Sequence, residues 1–349
     1  MSLTDFRTLG RTGLRVSPLA LGTMTFGDPS WGADERTSLD ILARYTDAGG
    51  NFIDTANRYA EGRSEQVIGA YLRKNPAQRD RLVIATKVAL SMDPTDPNNG
   101  GTSRKAIRTH IDASLERLGT DYIDLYWQHN WDQHTPLEET MSTLDDLVRE
   151  GKVRYVGLSD TPAWAVARMA TLAEWRGWTP VAALQLEYSL LERTSEGELF
   201  GAARELGLGV MPWSPLANGV LTGKYTRDNH TPEGSGRGMF VGRHLNERTF
   251  ALIDVLGRIA EESGTTVAAV ALAWVRQQPL TTATVIGART VAQLDANLAS
   301  LDVTLSAEHL DELDRLTAPA LGFPLPFLKT LGVPAQQGTT VINGIKAGD

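Results

Sequence analysis

The sequence contains no cysteine. A disulfide framework and a thiolate metal site are therefore both excluded, and thiols give no indication of the redox compartment. The chain also lacks any run of about 18 apolar residues, and its first residues show no basic segment followed by an apolar core. We therefore expect a cytoplasmic protein that does not act in a membrane.

Positive charge is scarce as well. The 34 Lys and Arg residues face 42 Asp and Glu residues, which gives a formal net charge of −8. No cluster of Lys or Arg stands out, so we do not expect a surface that binds nucleic acid. With 42% hydrophobic and 22% charged residues the chain has the composition of an ordinary enzyme, and small-molecule chemistry is the favoured function class.

A third absence concerns the glycine motif of dinucleotide-binding sheets. An open sheet of that kind should carry G-x-G-x-x-G directly after its first strand. Here the first predicted strand runs into Gly22, Thr23 and Met24, and the nearest glycine cluster, at 234–238, follows no strand. The sequence therefore argues against a doubly wound sheet.

The pattern that is present is an alternation of short apolar runs with amphipathic helical segments. Segments 6–10 and 14–16 predict a β-hairpin that closes one end of the fold. Strands are predicted at 18–23, 51–54, 82–87, 122–129, 153–158, 181–185, 208–213 and 282–287. Helices are predicted at 34–48, between a cap at 102–103 and Gly119, and at 137–150, 162–175, 196–206, 290–301 and 307–316. Eight such repeats predict an α/β fold, a (β/α)8 TIM barrel with an N-terminal β-hairpin.

We expect a single domain over residues 1–349, in which residues 1–17 form the hairpin cap. Residues 222–245 carry no periodic apolar pattern, and a loop of this length is usually functional. Residues 318–349 form a Pro- and Gly-rich tail, which we predict to be an extended arm over the barrel.

In a barrel of this kind the chemistry collects where the strands end. The predicted strands two to eight end at Asp54, Lys87, His129, Ser159, Gln185, Trp213 and Gly287, and Tyr59 follows Asp54 by five residues. Each of these residues alone has a structural explanation as a cap, a surface charge or a packing aromatic. Their convergence on one mouth of the barrel favours an active site.

These residues resemble the aldo/keto reductases from the hairpin to about residue 317. The resemblance rests on Asp54 with Tyr59, Ala-Thr-Lys at 85–87, Gln128 with His129, the segment 151–159, Gln185 with Glu187 and Tyr188, Trp-Ser-Pro-Leu-Ala at 213–217 with Gly219, and Ile-Gly-Ala-Arg at 286–289 with Asn297. Segments 213–217 and 286–289 are most similar to the branch that includes bacterial reductases and the β-subunits of voltage-gated potassium channels.

The resemblance implies a catalytic tetrad of Asp54, Tyr59, Lys87 and His129 that transfers hydride from NADPH to an aldehyde or ketone. Tyr59 would be the general acid, and His129 would hold the carbonyl oxygen. One ammonium about 4 Å from a phenol supplies on the order of 4 kcal/mol at an effective dielectric of about 20. We therefore expect Lys87 to lower the pKa of Tyr59, and Asp54 to keep Lys87 charged.

The resemblance also implies contacts with the NADPH cofactor. Ser159, Asp160 and Gln185 would hold the carboxamide, and Trp213 would stack on the nicotinamide. Ser214, Leu216, Gly219 and Lys224 would meet the pyrophosphate. Arg289, Gln293 and Asn297, on one face of the last barrel helix, would meet the adenosine and its 2′-phosphate, with added charge from Arg237. Further predicted contacts are Gly22, Thr23, Met24, Asp54, Pro215 and Gly287.

Two positions depart from the pattern of many relatives. Asp160 replaces an asparagine, and an ionised carboxylate cannot donate a hydrogen bond. The lysine that many relatives use for the 2′-phosphate is absent from 287–288, which leaves that role to Arg289.

Aromatic residues near the strand ends indicate the substrate. Phe26, Trp31, Trp127 and Trp131 are predicted to line a pocket for carbonyl compounds with an apolar or flat face, sugar-derived ones included. A metal site at His129 and His134 lacks a third ligand, so we expect no metal. Three alternatives stay open: an NADPH-binding regulatory subunit with little turnover, a sugar dehydrogenase that works in the oxidative direction, and a lyase or isomerase that uses Lys87 as a Schiff-base amine. Formation of a homo-oligomer is also left open.

Overall fold

A short hairpin and a ring of parallel strands form the centre of the computed structural model, which describes residues 1–232, 241–342 and 345–346. The hairpin strands are β1 Arg7–Thr8 and β2 Arg15–Val16, and the ring contains β3 Leu19–Gly22, β4 Phe52–Asp54, β5 Val83–Val88, β6 Ile123–Gln128, β7 Val153–Ser159, β8 Val181–Glu187, β9 Gly209–Trp213 and β10 Thr284–Gly287.

Each ring strand pairs in parallel with the next along the chain, from β3 to β9. β3 also pairs in parallel with β10, and the Thr282 amide donates to the carbonyl of Val210 in β9. The strands therefore form the predicted barrel, and their C-terminal ends share one mouth.

Helices cover the outside of the barrel. They span Glu35–Asp47, Arg63–Lys74, Arg104–Leu118, Leu137–Arg149, Ala163–Arg176, Glu198–Leu206, Glu247–Glu262, Val267–Gln277, Val291–Leu298 and Ala307–Thr317. The start and stop signals predicted for Arg104–Leu118 are confirmed. The Ser103 hydroxyl accepts from the Ala106 amide, and Gly119 ends the helix at a positive φ of 64°.

Three of these helices were not predicted: Arg63–Lys74, Glu247–Glu262 and Val267–Gln277. In Val267–Gln277, every residue from Ala269 to Arg276 is buried, so the sequence shows no amphipathic period. In Arg63–Lys74 the buried residues include Ser64 and Glu65, which are polar and would be expected at the surface from sequence alone. Glu247–Glu262 did carry a signal, because its apolar residues recur at helical spacing.

The hairpin closes the N-terminal end of the barrel. Leu9 and Val16 have no exposed surface and pack with Ala20 and Phe52 inside the ring. Gly10 adopts a positive φ of 57°, and a Cβ atom there would lie 2.5 Å from the carbonyl oxygen of Ala182. Backbone therefore meets backbone where the cap enters the barrel.

The tail is not the extended arm that we predicted. It forms short helical segments at Leu325–Phe327, Leu328–Gly332 and Val333–Gln337, followed by paired strands Val341–Ile342 and Ile345–Lys346. The prolines of the tail were taken as evidence against helix. In the first and third segments they lie in the first turn, where the missing N–H costs nothing.

The long loop contains a tight turn at 226–229 and a 3₁₀ turn at Gly242–His244. Residues 233–240, and with them the predicted cofactor residue Arg237, lie outside the described residues. Among the helices that are described, none is long and apolar enough to cross a membrane.

Gly10→Ala should lower the free energy of unfolding by about 2 to 4 kcal/mol, since it adds left-handed strain to a close approach to backbone. Gly13→Ala in the same hairpin is the matched control, because a Cβ atom there would have nothing within 4 Å. Urea unfolding of the two variants measures the difference, and equal stabilities would contradict the tight fit of the cap.

Candidate active site

The barrel brings the predicted strand-end residues to one mouth. Asp54, Ser159 and Trp213 are the last residues of β4, β7 and β9, Lys87 is the penultimate residue of β5, Gln185 lies near the end of β8, and His129 follows β6. Adjacent strands hold them in register, as in the pair Ser159 and Gln185. The arrangement follows from strand topology alone.

Lys87 has all three ammonium protons engaged. Its Nζ donates to Asp54 Oδ2 at 2.5 Å, to the Thr55 carbonyl at 2.9 Å and to the Tyr59 hydroxyl oxygen at 3.1 Å. The side chain has no exposed surface. An ammonium has three donors and no acceptor, so this lysine is fully satisfied and fixed in place.

Asp54 is held from two sides. While Oδ2 accepts from Lys87, Oδ1 accepts from the side-chain amide of Gln185 at 2.9 Å. The sequence suggested Gln185 only as a cofactor contact, and its role as the partner that orients Asp54 was missed. No sequence signal links two residues that lie 131 positions apart.

Tyr59 stands on an unusual turn. It begins a 3₁₀ turn, Tyr59–Gly62, in which Ala60 and Glu61 both have positive φ, at 48° and 57°. For residues with a Cβ atom this conformation costs roughly 1 to 2 kcal/mol each. Such strain persists only where the surroundings hold it, and it tends to occur at functional sites.

A buried polar network supports this turn from outside the barrel. Glu65, in the helix that follows the turn, has no exposed surface. It accepts from the Thr86 hydroxyl at 2.5 Å and from Arg117 Nε at 2.6 Å. Thr86 directly precedes Lys87, so Glu65 ties the Tyr59 turn to the strand that carries the lysine. Glu65 and Arg117 were not singled out from the sequence, and Thr86 appeared there only as part of the motif at 85–87.

The pKa of Tyr59 differs from the expectation, whereas that of Lys87 agrees with it. Burial raises the pKa of Tyr59 above its usual value; the Lys87 charge opposes this, and the Asp54 charge adds to it. The expected lowering of the pKa is therefore wrong for the protein alone, because burial outweighs the lysine charge and Asp54 offsets part of that charge. Burial alone would lower the pKa of Lys87, but Asp54 and Tyr59 raise it above its usual value, so the ammonium stays charged.

His129 is a neutral imidazole in this setting. Burial, aided by the Lys87 charge, lowers its pKa to about 3. Its ring meets the Tyr59 ring edge to face, with centroids 5.7 Å apart. Its Nδ1 atom is buried with no hydrogen-bond partner among the described residues, which leaves that nitrogen available to a ligand.

Asp160 and Trp213 join two strand ends. The Trp213 indole donates to Asp160 Oδ1 at 3.1 Å, and Asp160 has a positive φ of 42°. Although the residue lies exposed at the rim, partial burial of its carboxyl raises its pKa to about 6, and the nearby Glu187 adds to this shift. A carboxyl group with this pKa is partly protonated near pH 6 and can then donate a hydrogen bond.

The segment after β9 forms a compact turn. Ser214, Ala217, Asn218 and Gly219 all have positive φ, and the Ser214 hydroxyl accepts from the Asn218 amide. Lys224 extends over this turn, with Nζ 3.6 Å from the position of a Cβ atom on Gly219. Turns of this kind present backbone N–H groups to anions, and a lysine beside them adds positive charge.

The predicted adenosine residues are arranged differently from the expectation. The helix begins at Val291 with Thr290 as its cap, so Arg289 precedes it and does not share a face with Gln293 and Asn297. The Gln293 side chain accepts from the Arg289 amide, and Asn297 is buried and donates to the Gly287 carbonyl. These two side chains fix the end of β10, and Arg289 is held beside it.

The end of β3 is also tightly held. The buried Thr23 hydroxyl donates to the Asp54 carbonyl and accepts from Ser64, and a Cβ atom on Gly22 would lie 2.7 Å from Val285. Met24, in contrast, is 39% exposed. Of these three predicted cofactor residues, Met24 is the one that presents a side chain to solvent.

The four predicted substrate aromatics divide into two pairs. Phe26 and Trp127 have no exposed surface and belong to the core, so their geometry gives them a packing role in place of the predicted one. Trp31 and Trp131 are half-buried. Trp164, which the sequence did not single out, meets Trp131 edge to face with centroids 5.5 Å apart.

Metal ligands do not cluster in the part of the chain that the structure describes, where no group of three or more His, Cys, Asp or Glu residues could hold an ion. The alternative at His129 and His134 thus gains no further ligand there.

Comparison with known proteins gives the family. The model of the aldo/keto reductase family matches residues 18–318. An uncharacterized oxidoreductase of Bacillus subtilis, YrpG, is 40% identical over 89% of this chain and 95% of its own length. The norsolorinic acid reductase stcV of Emericella nidulans is 37% identical over 90% and 82%, and the putative aryl-alcohol dehydrogenase AAD14 of Saccharomyces cerevisiae is 34% identical over 92% and 89%. The resemblance to potassium-channel subunits stays a prediction, because none of these relatives tests it. The family match, together with the barrel and the strand-end residues, shows that the chain belongs to the aldo/keto reductase family.

Proposed function

We propose that this protein reduces aldehydes or ketones to alcohols with NADPH, and that Tyr59 donates the proton. The observation that carries the proposal is the contact of 3.1 Å between Lys87 Nζ and the Tyr59 hydroxyl oxygen. Because the ammonium donates in this contact, the phenol keeps its own proton for another acceptor. That acceptor would be the oxygen of a bound carbonyl compound.

The roles of the tetrad follow from charge. As the carbonyl is reduced, negative charge grows on its oxygen, and a nearby acid must supply a proton. Tyr59 holds that proton at neutral pH, since a phenol ordinarily has a pKa near 10 and burial raises the pKa of Tyr59 further. Lys87 stabilises the phenolate that remains, Asp54 orients Lys87, and the neutral His129 donates to the carbonyl oxygen from one ring nitrogen.

The described residues fit a nicotinamide dinucleotide. When bound, this cofactor would supply the hydride. Trp213 lies half-buried at the mouth and offers a flat face to a ring, with Ser159 and Asp160 at the end of β7, two strands away. The left-handed turn at 214–219, together with Lys224, suits a pyrophosphate, and this segment would hold it.

The substrate is proposed to be an aromatic carbonyl compound. Trp31 and Trp131 are the half-buried aromatics that remain candidates for the pocket. Two of the relatives carry names that refer to norsolorinic acid and to aryl alcohols, which supports a flat, apolar substrate. A regulatory subunit with little turnover is the competing function, and activity measurements separate the two.

Tyr59→Phe should reduce kcat for 4-nitrobenzaldehyde by about 10²- to 10⁴-fold, because the variant lacks the donated proton. NADPH affinity, measured by quenching of tryptophan fluorescence, should change little and serves as the folding control. Retained turnover would remove Tyr59 as the acid, and no turnover in the unaltered protein with any carbonyl compound would favour the regulatory role.

His129 should add no inflection to the pH profile of kcat/KM for carbonyl reduction between about pH 5 and 8. A group with a pKa of about 3 is deprotonated throughout this range, so His129 stays neutral. Activity should fall at higher pH, where Tyr59 loses its proton, and an inflection near pH 6 that persists in His129→Gln would belong to Asp160. An inflection between pH 6 and 7 that disappears in His129→Gln would contradict the neutral imidazole.

Arg289→Ala should lower kcat/KM with NADPH about tenfold or more and leave kcat/KM with NADH nearly unchanged, because Arg289 is proposed to contact the 2′-phosphate. The measured quantity is the ratio of the two values in each protein. Equal ratios before and after the substitution would remove this role from Arg289.

A further inference from the structure

A second opening lies beside the active site. This side cavity, of about 790 Å³, is lined by residues 160–164 after β7, the end of β8 at 186–187, residues of the segment 192–199 and residues of the tail between 320 and 325. Its volume lies within the usual range of small-molecule sites, about 300 to 1,000 Å³.

Aromatic contacts connect the side cavity to the catalytic residues. The His129 ring meets Tyr59, and Trp131, two residues further along, donates its amide to the Asp160 carbonyl at 3.3 Å. Trp131 in turn meets Trp164 edge to face, and Trp164 lines the cavity. One wall of aromatic and backbone atoms therefore leads from the tetrad to the cavity.

The tail forms the opposite wall. Leu321 and Leu325 are half-buried and pack over Gly197, where a Cβ atom would lie 3.1 Å from Leu325 and 3.5 Å from Leu321. The glycine allows the tail to approach this closely. Trp164 faces the same space, with 56% of its surface exposed.

The charges around the cavity select the ligand. Four carboxylates, of Asp160, Glu187, Glu192 and Glu198, lie among its described lining residues, and no Lys or Arg lies among them. Glu187 forms an ion pair with Arg243, which does not line the cavity, so the other three carboxylates make the rim negative. An anionic group would be repelled there, which disfavours carboxylated or phosphorylated compounds. A neutral aromatic ring suits both the apolar walls and the negative rim.

We propose that the side cavity is a distal subsite for the second ring of an extended, neutral aromatic carbonyl compound, with Trp164 and Leu321 as the residues that determine specificity. The inference deepens the proposed function, on which it rests for the carbonyl end of the ligand. A substrate with one ring would reach only the mouth, whereas a substrate with two rings would also fill the subsite.

The test compares two aldehydes and three variants. In Trp164→Ala, and independently in Leu321→Ala, the ratio of KM for 4-phenylbenzaldehyde to KM for benzaldehyde should rise about tenfold, which is typical for lost apolar contacts in a pocket. Trp175→Ala is the matched control, because Trp175 lies on the same helix, is 80% exposed and is not among the lining residues. Its ratio should stay within about twofold of the unaltered protein.

A binding measurement without turnover separates the two proposals. Calorimetry should show that 2-naphthol binds the unaltered protein, that Trp164→Ala weakens this binding about tenfold, and that the anion 2-naphthoate binds more weakly than 2-naphthol. If this pattern appears while no carbonyl compound is reduced, the subsite stands and the reductase function falls. If benzaldehyde is reduced but both ratios and affinities match those of Trp175→Ala, the subsite is wrong and the reductase function stands. Equal affinities for naphthol and naphthoate would overturn the choice of a neutral ligand.

Discussion

The buried ion pair between Lys87 and Asp54 is the interaction on which the site depends. Taking two charges out of water is costly, and the cost is recovered only when geometry and additional hydrogen bonds are favourable. Here Gln185 satisfies the second carboxylate oxygen, while the Thr55 carbonyl and the Tyr59 hydroxyl satisfy the remaining ammonium protons. Loss of either charge would leave the other buried and unpaired, at a cost of roughly 3 to 5 kcal/mol.

The surrounding structure explains how such a pair is maintained. Its residues come from β4, β5 and β8, which are fixed by the closed ring, so the ring determines the distances between them. Tyr59 is different, because it stands on a loop with two strained residues. The network of Glu65, Thr86 and Arg117 holds that loop against β5. These side-chain hydrogen bonds thus fix the position of Tyr59, which the strained loop backbone alone would not.

Much of this could be predicted from sequence, for physical reasons. Parallel strands place their C-terminal ends together, so apolar runs that end on Asp54, Lys87 and Gln185 were enough to predict the barrel and one shared mouth. The contacts between these side chains could not be predicted, because Gln185 and Asp54 meet only through the closure of the ring. Trp164 was missed since an exposed aromatic on a helix carries no periodic signal, and the pKa direction of Tyr59 failed because burial and the Asp54 charge do not show in a sequence. The helical tail was missed because its prolines were taken as breakers.

The hairpin that caps the barrel has a consequence for molecular traffic. Leu9 and Val16 fill the N-terminal end of the barrel, so a ligand that reaches Lys87 must enter from the C-terminal end. The proposed dinucleotide and the carbonyl compound would therefore enter through the same end of the barrel, and whichever of them lies deeper would bind first and leave last.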